Sequence, residues 1–396
     1  MVAALSDEYS RYIPPSREKR YRDSLDNRYE GFGISIRQYK TEEGNQFFVG
    51  YPQRNSPAYR AGLRSGDQIL QIDGMPLTDK NIGEVFGLLS QRTEPTVRLS
   101  MLLHGQTGVK ECFVRREKIH TDSVEGYYFG TNTRVFHLAA HPNIGYVRIT
   151  SFGNATAKEF SDALDCMKQQ FVQSFILDLR DNSGGDVGNC ILIARMLMAP
   201  DPVSGNVIVA VRDRNGKERL RHRHFVLTEG SQQCTLPMVV LINGETASAS
   251  EILAAALQDH HRATVIGTRS FGKGIIQSII DLPFRSGILQ LTDSEYRRPG
   301  GAPIHRQKHA TDSDDWGVIP DKIVELSEAE QSAVMAYRML RSNVIAPERV
   351  AVLEQFRQQI VQNQDSEFEF TGTAPYYDPQ LDEAIRILLE PAQKKE

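Results

Sequence analysis

Apolar positions fall into two textures along the chain. Between residue 31 and about 117 they come in short alternating runs. Residues 46–50, 68–72, 97–103 and 111–114 read as strands, and Asp73-Gly74 as a tight turn closing the second of them. Ser56-Pro57-Ala58 predicts a turn into a short helix ending at Gly62, and Ile82, Val85, Phe86 and Leu89 recur at helical spacing. After Lys118 strands alternate with helices. Strands are expected at 145–149, 175–179, 238–242, 263–266 and 275–280. Residues 207–212 and 219–226 flank Asn215-Gly216, a hairpin signal. Thr156 to Glu159 reads as a capping box, followed by an apolar helical stripe of Phe160, Leu164, Met167 and Phe171. Further helices are expected through 191–198 and 249–257. The pattern predicts an α/β chain in four parts: a charged helical segment over 1–30, a β-rich domain over 31–117, an α/β layer over 118–326 and a polar helical appendage over 327–396.

Composition narrows the function classes. The 396 residues carry 46 basic and 50 acidic side chains, a net charge of −4, with 40% hydrophobic residues. Such a chain can bury a core, and it has no broad electrostatic reason to bind nucleic acid. No apolar stretch approaches the roughly 18–20 residues of a membrane span. The first residues hold no basic, apolar and small-residue succession of a secretory signal, and the chain reads as though it begins inside a folded segment. Cys112, Cys166, Cys190 and Cys234 are scattered, which argues against a zinc ribbon or a disulfide framework.

The chemistry concentrates between Gly244 and Gln277. Thr246-Ala247-Ser248-Ala249-Ser250-Glu251 lies between a buried strand and an alanine-rich helix, so the Ser248 hydroxyl stands at a helix N-terminus. Free N–H groups and the positive dipole end there suit a nucleophile whose substrate develops an oxyanion. Taken alone, the same residues read more readily as an ordinary cap, Ser248-x-x-Glu251, since caps far outnumber nucleophiles. Lys273, between Gly272 and Gly274 and next to Ile275 and Ile276, is an amine in apolar surroundings. Lost solvation lowers its pKa, and only the neutral amine can take a proton from serine. A P-loop is excluded because residues 267–274 read Gly-Thr-Arg-Ser-Phe-Gly-Lys-Gly, with no Ser or Thr after the lysine. The turn Asp178 to Gly185 follows a buried strand and ends in two glycines, able to present N–H groups to an anion.

Together, Thr-Ala-Ser-Ala-Ser-Glu, Phe-Gly-Lys-Gly-x-x-Gln and Leu-Arg-Asp-Asn-x-Gly-Gly, with a PDZ-like module upstream, resemble the carboxyl-terminal processing (tail-specific) proteases. The likeness covers about residues 8–325 and a short Asp378-Pro379-Gln380-Leu381 tail, and the spacing of Ser248 and Lys273 is the family's. It implies a crotonase-like α/β protease core, with Ser248 as nucleophile, Lys273 as general base and Gln277 as its orienting partner. The amides of Ala249 and of Gly184 or Gly185 would form the oxyanion hole. Gly31-Phe32-Gly33-Ile34 would be the carboxylate-binding loop of the PDZ module, which takes free protein C-termini as added strands. No metal or cofactor is implied. The partners are protein or peptide substrates, with room for a homo-oligomer, and the family acts outside the cytoplasm. Ser183 stands where the family has proline. Because residues 273 and 277 lie about 13 Å apart in a straight strand, contact between them requires a bend.

The rival readings are a PDZ-bearing scaffold or pseudo-protease that binds tails without cutting, a ligand-binding protein on the same core like the interphotoreceptor retinoid-binding proteins, and acyl-CoA chemistry. Intact Ser248 and Lys273 argue against the first, the PDZ-like module against the second, and the lack of a phosphate-cradling signal against the third. His222-x-His224 lacks a third metal ligand, and His260, some 18 Å along a helix from Ser248, reads as a helix end.

Overall fold

Met238–Ile242 is buried at every position, and alternate residues enter different cores. Val240 and Ile242 pack among the helices on one face of a sheet, Val239 and Leu241 among residues of the other. Successive side chains of a strand point to opposite faces, so a strand covered on both sides is a continuous hydrophobic run. In this computed structural model, residues 5, 7–42, 44–53, 55–64, 66–103, 106–129, 134–138, 140–203, 205–213, 225–231, 234–342 and 378–390 are described. The Asn215-Gly216 hairpin and the His222/His224 pair lie outside them.

The chain divides into two units, one of residues 1–27, 122–334 and 377–396, the other of 28–121 and 335–376. The larger is built on a sheet in the order Val124–Glu125, Ile144–Ile149, Ser174–Asp178, Met238–Ile242, Thr264–Gly267 and Lys322–Ile323. All neighbours are parallel except the first pair. Helices Thr156–Gln169, Val187–Leu197 and Ala249–Asp259 bury Phe160, Cys190, Ile191, Ile252 and Leu253 on one face. On the other face helix Pro379–Leu389 buries Leu381 and Ala384. Residues 378–390, expected within an appendage, therefore complete the core, because an α/β sheet must cover both faces. A second, antiparallel sheet joins Arg11–Ile13, Ile275–Asp281, Ile288–Arg297 and Ala210–Asp213, so the N-terminal segment is also part of this unit.

Two local expectations need correction. Thr156 is no N-cap: its hydroxyl accepts the Gly153 N–H at 2.8 Å, helix Thr156–Gln169 is preceded by Ala155, and Glu159 accepts the N–H groups of Ser123 and Val124. Phe171 lies beyond the helix end, with φ +57° and 85% exposed, so it is no part of the apolar stripe.

A buried ion cluster ties the C-terminal segment to the sheet. Arg180 donates to Asp178 at 3.0 and 2.7 Å, to Asp378 at 2.9 Å through two nitrogens, and to Gln380 at 3.0 Å. Tyr146 also donates to Asp178. Burial pushes the Asp378 carboxyl up, but the Arg180 charge and hydrogen bonds outweigh it, so its pKa lies below the ordinary value. A depressed carboxyl contributes stability above its unfolded pKa and loses it as pH falls through the folded value. Asp378→Asn is expected to cost about 3 kcal/mol at pH 7, because Arg180 keeps its charge with one anion fewer. The difference from wild type should shrink below about pH 4. Urea unfolding at pH 7 and pH 3 checks both; equal stability at pH 7 would count against the cluster.

The smaller unit is an antiparallel sheet in the order Ile34–Thr41, Gly44–Pro52, Gln68–Ile72, Thr96–Leu102 and Val109–Arg115, with Met75–Pro76 on the third strand. Helix Ile82–Ser90 buries Val85 and Leu89 against it. The Asp73-Gly74 turn forms as expected, with φ +51° and +83°.

Candidate active site

The parallel strands Ser174–Asp178 and Met238–Ile242 are neighbours, and the turns leaving their carboxyl ends interlock. Asn243 Oδ1 accepts the Asp181 N–H at 2.9 Å and its Nδ2 donates to Asp181 at 2.7 Å. The Thr246 hydroxyl donates to the Leu179 carbonyl. The Asn182 carbonyl accepts both the Ala247 N–H and the Ser250 hydroxyl. These side-chain bonds replace ladder bonds where the strands end, and they explain why short polar residues occupy both turns.

Ser248 lies between the second turn and helix Ala249–Asp259, with φ +58° and ψ −119°. This is a conformation a non-glycine residue adopts only when its surroundings impose it. A sharp strand-to-helix turn of this kind lifts a serine hydroxyl clear of the sheet.

Gly184 faces the serine directly. A β-carbon at Gly184 would come within 2.7 Å of Ser248 Cβ and 3.0 Å of the Ala249 nitrogen, and its φ is +99°. The Gly184 N–H, however, is donated to Asn182 Oδ1 at 2.9 Å. Among the described residues the amides of Gly185 and Ala249 donate to no protein acceptor. Of the two candidate glycines, Gly185 is thus the one with an N–H to offer. A β-carbon there would fall 2.1 Å from the Phe152 carbonyl oxygen, so residue 185 must also be glycine.

Glu251 links serine and lysine. Its buried carboxylate accepts the N–H groups of Ser248 and Lys273 on one oxygen, each at 2.8 Å. The other oxygen accepts the Gly272 N–H at 2.7 Å and the Ser270 hydroxyl at 2.6 Å. Burial raises the Glu251 pKa, and the four hydrogen bonds oppose that shift. The cap expected at Ser248-x-x-Glu251 is present in its glutamate half, and that glutamate also fastens the lysine loop.

Lys273 is half-buried, with Nζ 5.2 Å from the centre of the Tyr9 ring. Its pKa lies below the ordinary lysine value, through burial first and the Arg11 charge second, with Glu251 acting the other way. Among the described residues Nζ makes no hydrogen bond or ion pair, to Ser248 Oγ or to any other group. Catalytic hydrogen bonds are often long without substrate and tighten when it binds.

Gln277 lies beyond the expected bend: the strand pairing shifts register between Ile276 and Gln277. Among the described residues its amide makes no hydrogen bond to Lys273. It donates to the Tyr9 carbonyl at 2.6 Å and accepts from Gln290 at 2.8 Å. His260 is the C-cap of helix Ala249–Asp259.

In the smaller unit, Phe32 and Gly33 connect strands Arg28–Gly31 and Ile34–Thr41. Phe32 is buried and Gly33 has φ +73°. Their carbonyls accept the N–H groups of Ala58 and Gln53. Their own N–H groups donate to no protein acceptor among the described residues. Phe32, Ile34, Ile36 and Leu89 line an adjoining apolar depression too narrow to hold a water molecule. Of the residues that recur at helical spacing in Ile82–Ser90, Val85 and Leu89 belong to the core and Phe86 is 47% exposed.

Residues 143–324 match peptidase family S41, and residues 48–101 match the PDZ domain. The chain is 32% identical over 325 residues to a carboxyl-terminal-processing protease of Synechocystis, spanning 82% of this chain and 69% of that one. It is 27% identical over 350 residues to the carboxy-terminal processing protease CtpA of Bacillus subtilis, spanning 86% and 70%. A putative S41 protease of Bacteroides fragilis shares the fold, with a TM-score of 0.53 at 19% identity over 91% of this chain and 88% of that one. With a PDZ domain ahead of an α/β core, the chain belongs to peptidase family S41, the carboxyl-terminal processing proteases, and is a serine-type peptidase.

Proposed function

We propose that Ser248 and Lys273 form the catalytic dyad of this protease, and that its PDZ domain selects substrates by their free C-termini. The observation that carries the dyad is the shared oxygen of Glu251, which binds the backbone N–H groups of both residues. A serine and an amine at that spacing, the serine in a forced turn and the amine short of hydration, suit acyl transfer. The neutral Lys273 amine takes the Ser248 proton as Oγ attacks the peptide carbonyl. The developing oxyanion is met by the N–H groups of Ala249 and Gly185. Collapse expels the amine of the downstream fragment, which receives its proton from the Lys273 ammonium. Water then attacks the acyl-enzyme by the same route in reverse and releases a new C-terminus. We place this activity outside the cytoplasm, on the family resemblance.

Selection of C-termini is supported by the N–H groups of Phe32 and Gly33, which among the described residues donate to no protein acceptor and can hold a carboxylate. A matched pair of unstructured peptides with free and amidated C-termini tests it. The free form is expected to have the higher kcat/KM by about ten- to a hundred-fold, since a hydrogen-bonded charge is worth about 1.5–3 kcal/mol. Equal kcat/KM values for the pair would refute selection by the terminus and leave the dyad untouched.

A further inference from the structure

Lys273 does not meet its expected glutamine partner, and what it does meet comes from the far end of the sequence. The Tyr9 ring faces Nζ at 5.2 Å, and the Tyr9 carbonyl accepts the Gln277 amide at 2.6 Å. Gln277 is held by Gln290, whose carbonyl oxygen accepts Nε of Arg11 at 2.8 Å. Arg11 opens the strand Arg11–Ile13 and pairs in register with Gln290. This hydrogen-bonded chain begins and ends in residues 9–11 and passes through both long strands of the second sheet. Asp7 holds the same segment from the other side, accepting the N–H groups of Tyr9 at 3.1 Å and Ser10 at 3.0 Å. His305 meets the Tyr9 ring edge-on, with centroids 6.4 Å apart.

We propose that Tyr9 is a positioning residue for Lys273: its ring is the wall against which the amine rests, and Gln277, Gln290 and Arg11 hold that wall in place. Gln277 would then act on the lysine at one remove, through the tyrosine backbone. This inference rests on the reading of Lys273 as general base.

The wall has a predictable electrostatic effect. Among the described residues the charged groups facing the amine are Glu251 from helix Ala249–Asp259 and Arg11 from the N-terminal strand, with the Tyr9 hydroxyl and His305 beside the ring. An aromatic face attracts an ammonium by about 0.5–2 kcal/mol, favouring the charged form. Burial disfavours that form and can shift a lysine by several pK units, here with no acceptor for the ammonium protons among the described residues. Burial is the larger effect, so the ring keeps the amine closer to neutrality. Removing the ring admits water, stabilises the ammonium and moves the acid limb of kcat/KM, which reports the free enzyme's base, to higher pH.

The test is the pH profile of kcat/KM on an unstructured peptide, with melting temperature measured alongside, for wild type, Tyr9→Ala, Tyr9→Phe, Gln277→Ala and Lys273→Ala. Tyr9→Ala is expected to move the acid limb upward and lower kcat/KM at pH 7 about ten-fold, and Tyr9→Phe to restore the wild-type limb. Gln277→Ala should move the limb the same way by less, and it decides the matter if Tyr9→Ala does not fold. An acid limb left in place by both Tyr9→Ala and Gln277→Ala overturns the positioning role, whatever rate is lost. Activity retained by Lys273→Ala overturns the general-base reading itself, an outcome the tyrosine variants cannot imitate.

Discussion

Alanine at position 248 is expected to lower kcat by about 10⁴- to 10⁶-fold, the loss typical of removing a serine nucleophile that works with a base. Lys273→Ala should fall in the same range, and the double variant should be no worse than either single one, because nucleophile and base act as a unit. Melting temperatures should stay close to wild type for both, since Ser248 is partly exposed and the Glu251 clamp uses the backbone N–H groups of these residues. Lys273→Arg separates charge from proton transfer. A guanidinium has similar reach and a positive charge, but it cannot be deprotonated in a protein. It should be as inactive as alanine if residue 273 must be a base, whereas substantial turnover by Lys273→Arg would show that a fixed positive charge suffices. The pH profile gives a second sign: the reacting form is the free amine, so wild-type kcat/KM should rise with pH through the lysine's lowered pKa.

Much of the architecture was legible because it is written locally. Met238–Ile242 and Ser174–Asp178 are continuous apolar runs bounded by turn residues, and such runs have few places to go other than a doubly covered sheet. The Ser248 turn was legible as a polar cluster between a buried strand and a helix. What could not be read there was the left-handed backbone of Ser248, which is imposed from outside by Asn182 and Glu251. The expectations that failed concern partners distant in the chain. Thr156-x-x-Glu159 has the spacing of a capping box, yet Glu159 finds better donors in Ser123 and Val124, some 35 residues earlier. Gln277 has the family's spacing from Lys273, yet its amide is taken by Tyr9, 268 residues away. Asp378 and Gln380 sit in a short tail that reads as polar helix, and only the fold brings them to Arg180. Local periodicity carries none of these pairings, because each depends on which strand ends the sheet order makes neighbours.

The second large effect is expected at Glu251, a residue that would bond neither substrate nor the reacting oxygen. Its carboxylate is the acceptor for four donors from two segments: Ser248 from the nucleophile turn, and Ser270, Gly272 and Lys273 from the lysine loop. Each buried donor left without a partner costs about 1–3 kcal/mol, so Glu251→Ala should destabilise the protein by about 4 kcal/mol or more. Ser270 recovers least easily, since its hydroxyl oxygen also accepts the Val318 N–H at 2.7 Å and so anchors a third segment. Activity should fall further than stability accounts for. With the clamp gone, the Phe271 N–H to Thr246 carbonyl bond still ties the two segments, but the backbones of residues 248 and 273 lose their shared acceptor, and a misplacement of about 1 Å is worth about a hundred-fold in rate. Glu251→Gln should be intermediate. Its carbonyl oxygen can still serve Ser248 and Lys273 if the amide nitrogen turns toward Ser270, whose hydroxyl can rotate to accept, leaving Gly272 N–H opposed by the amide. Thermal unfolding and kcat on one peptide, measured for both variants, separate the two effects. The order wild type, glutamine, alanine is expected in stability and in rate. A Glu251→Ala protein that melts with wild type would show that the two segments are held together by something other than this carboxylate.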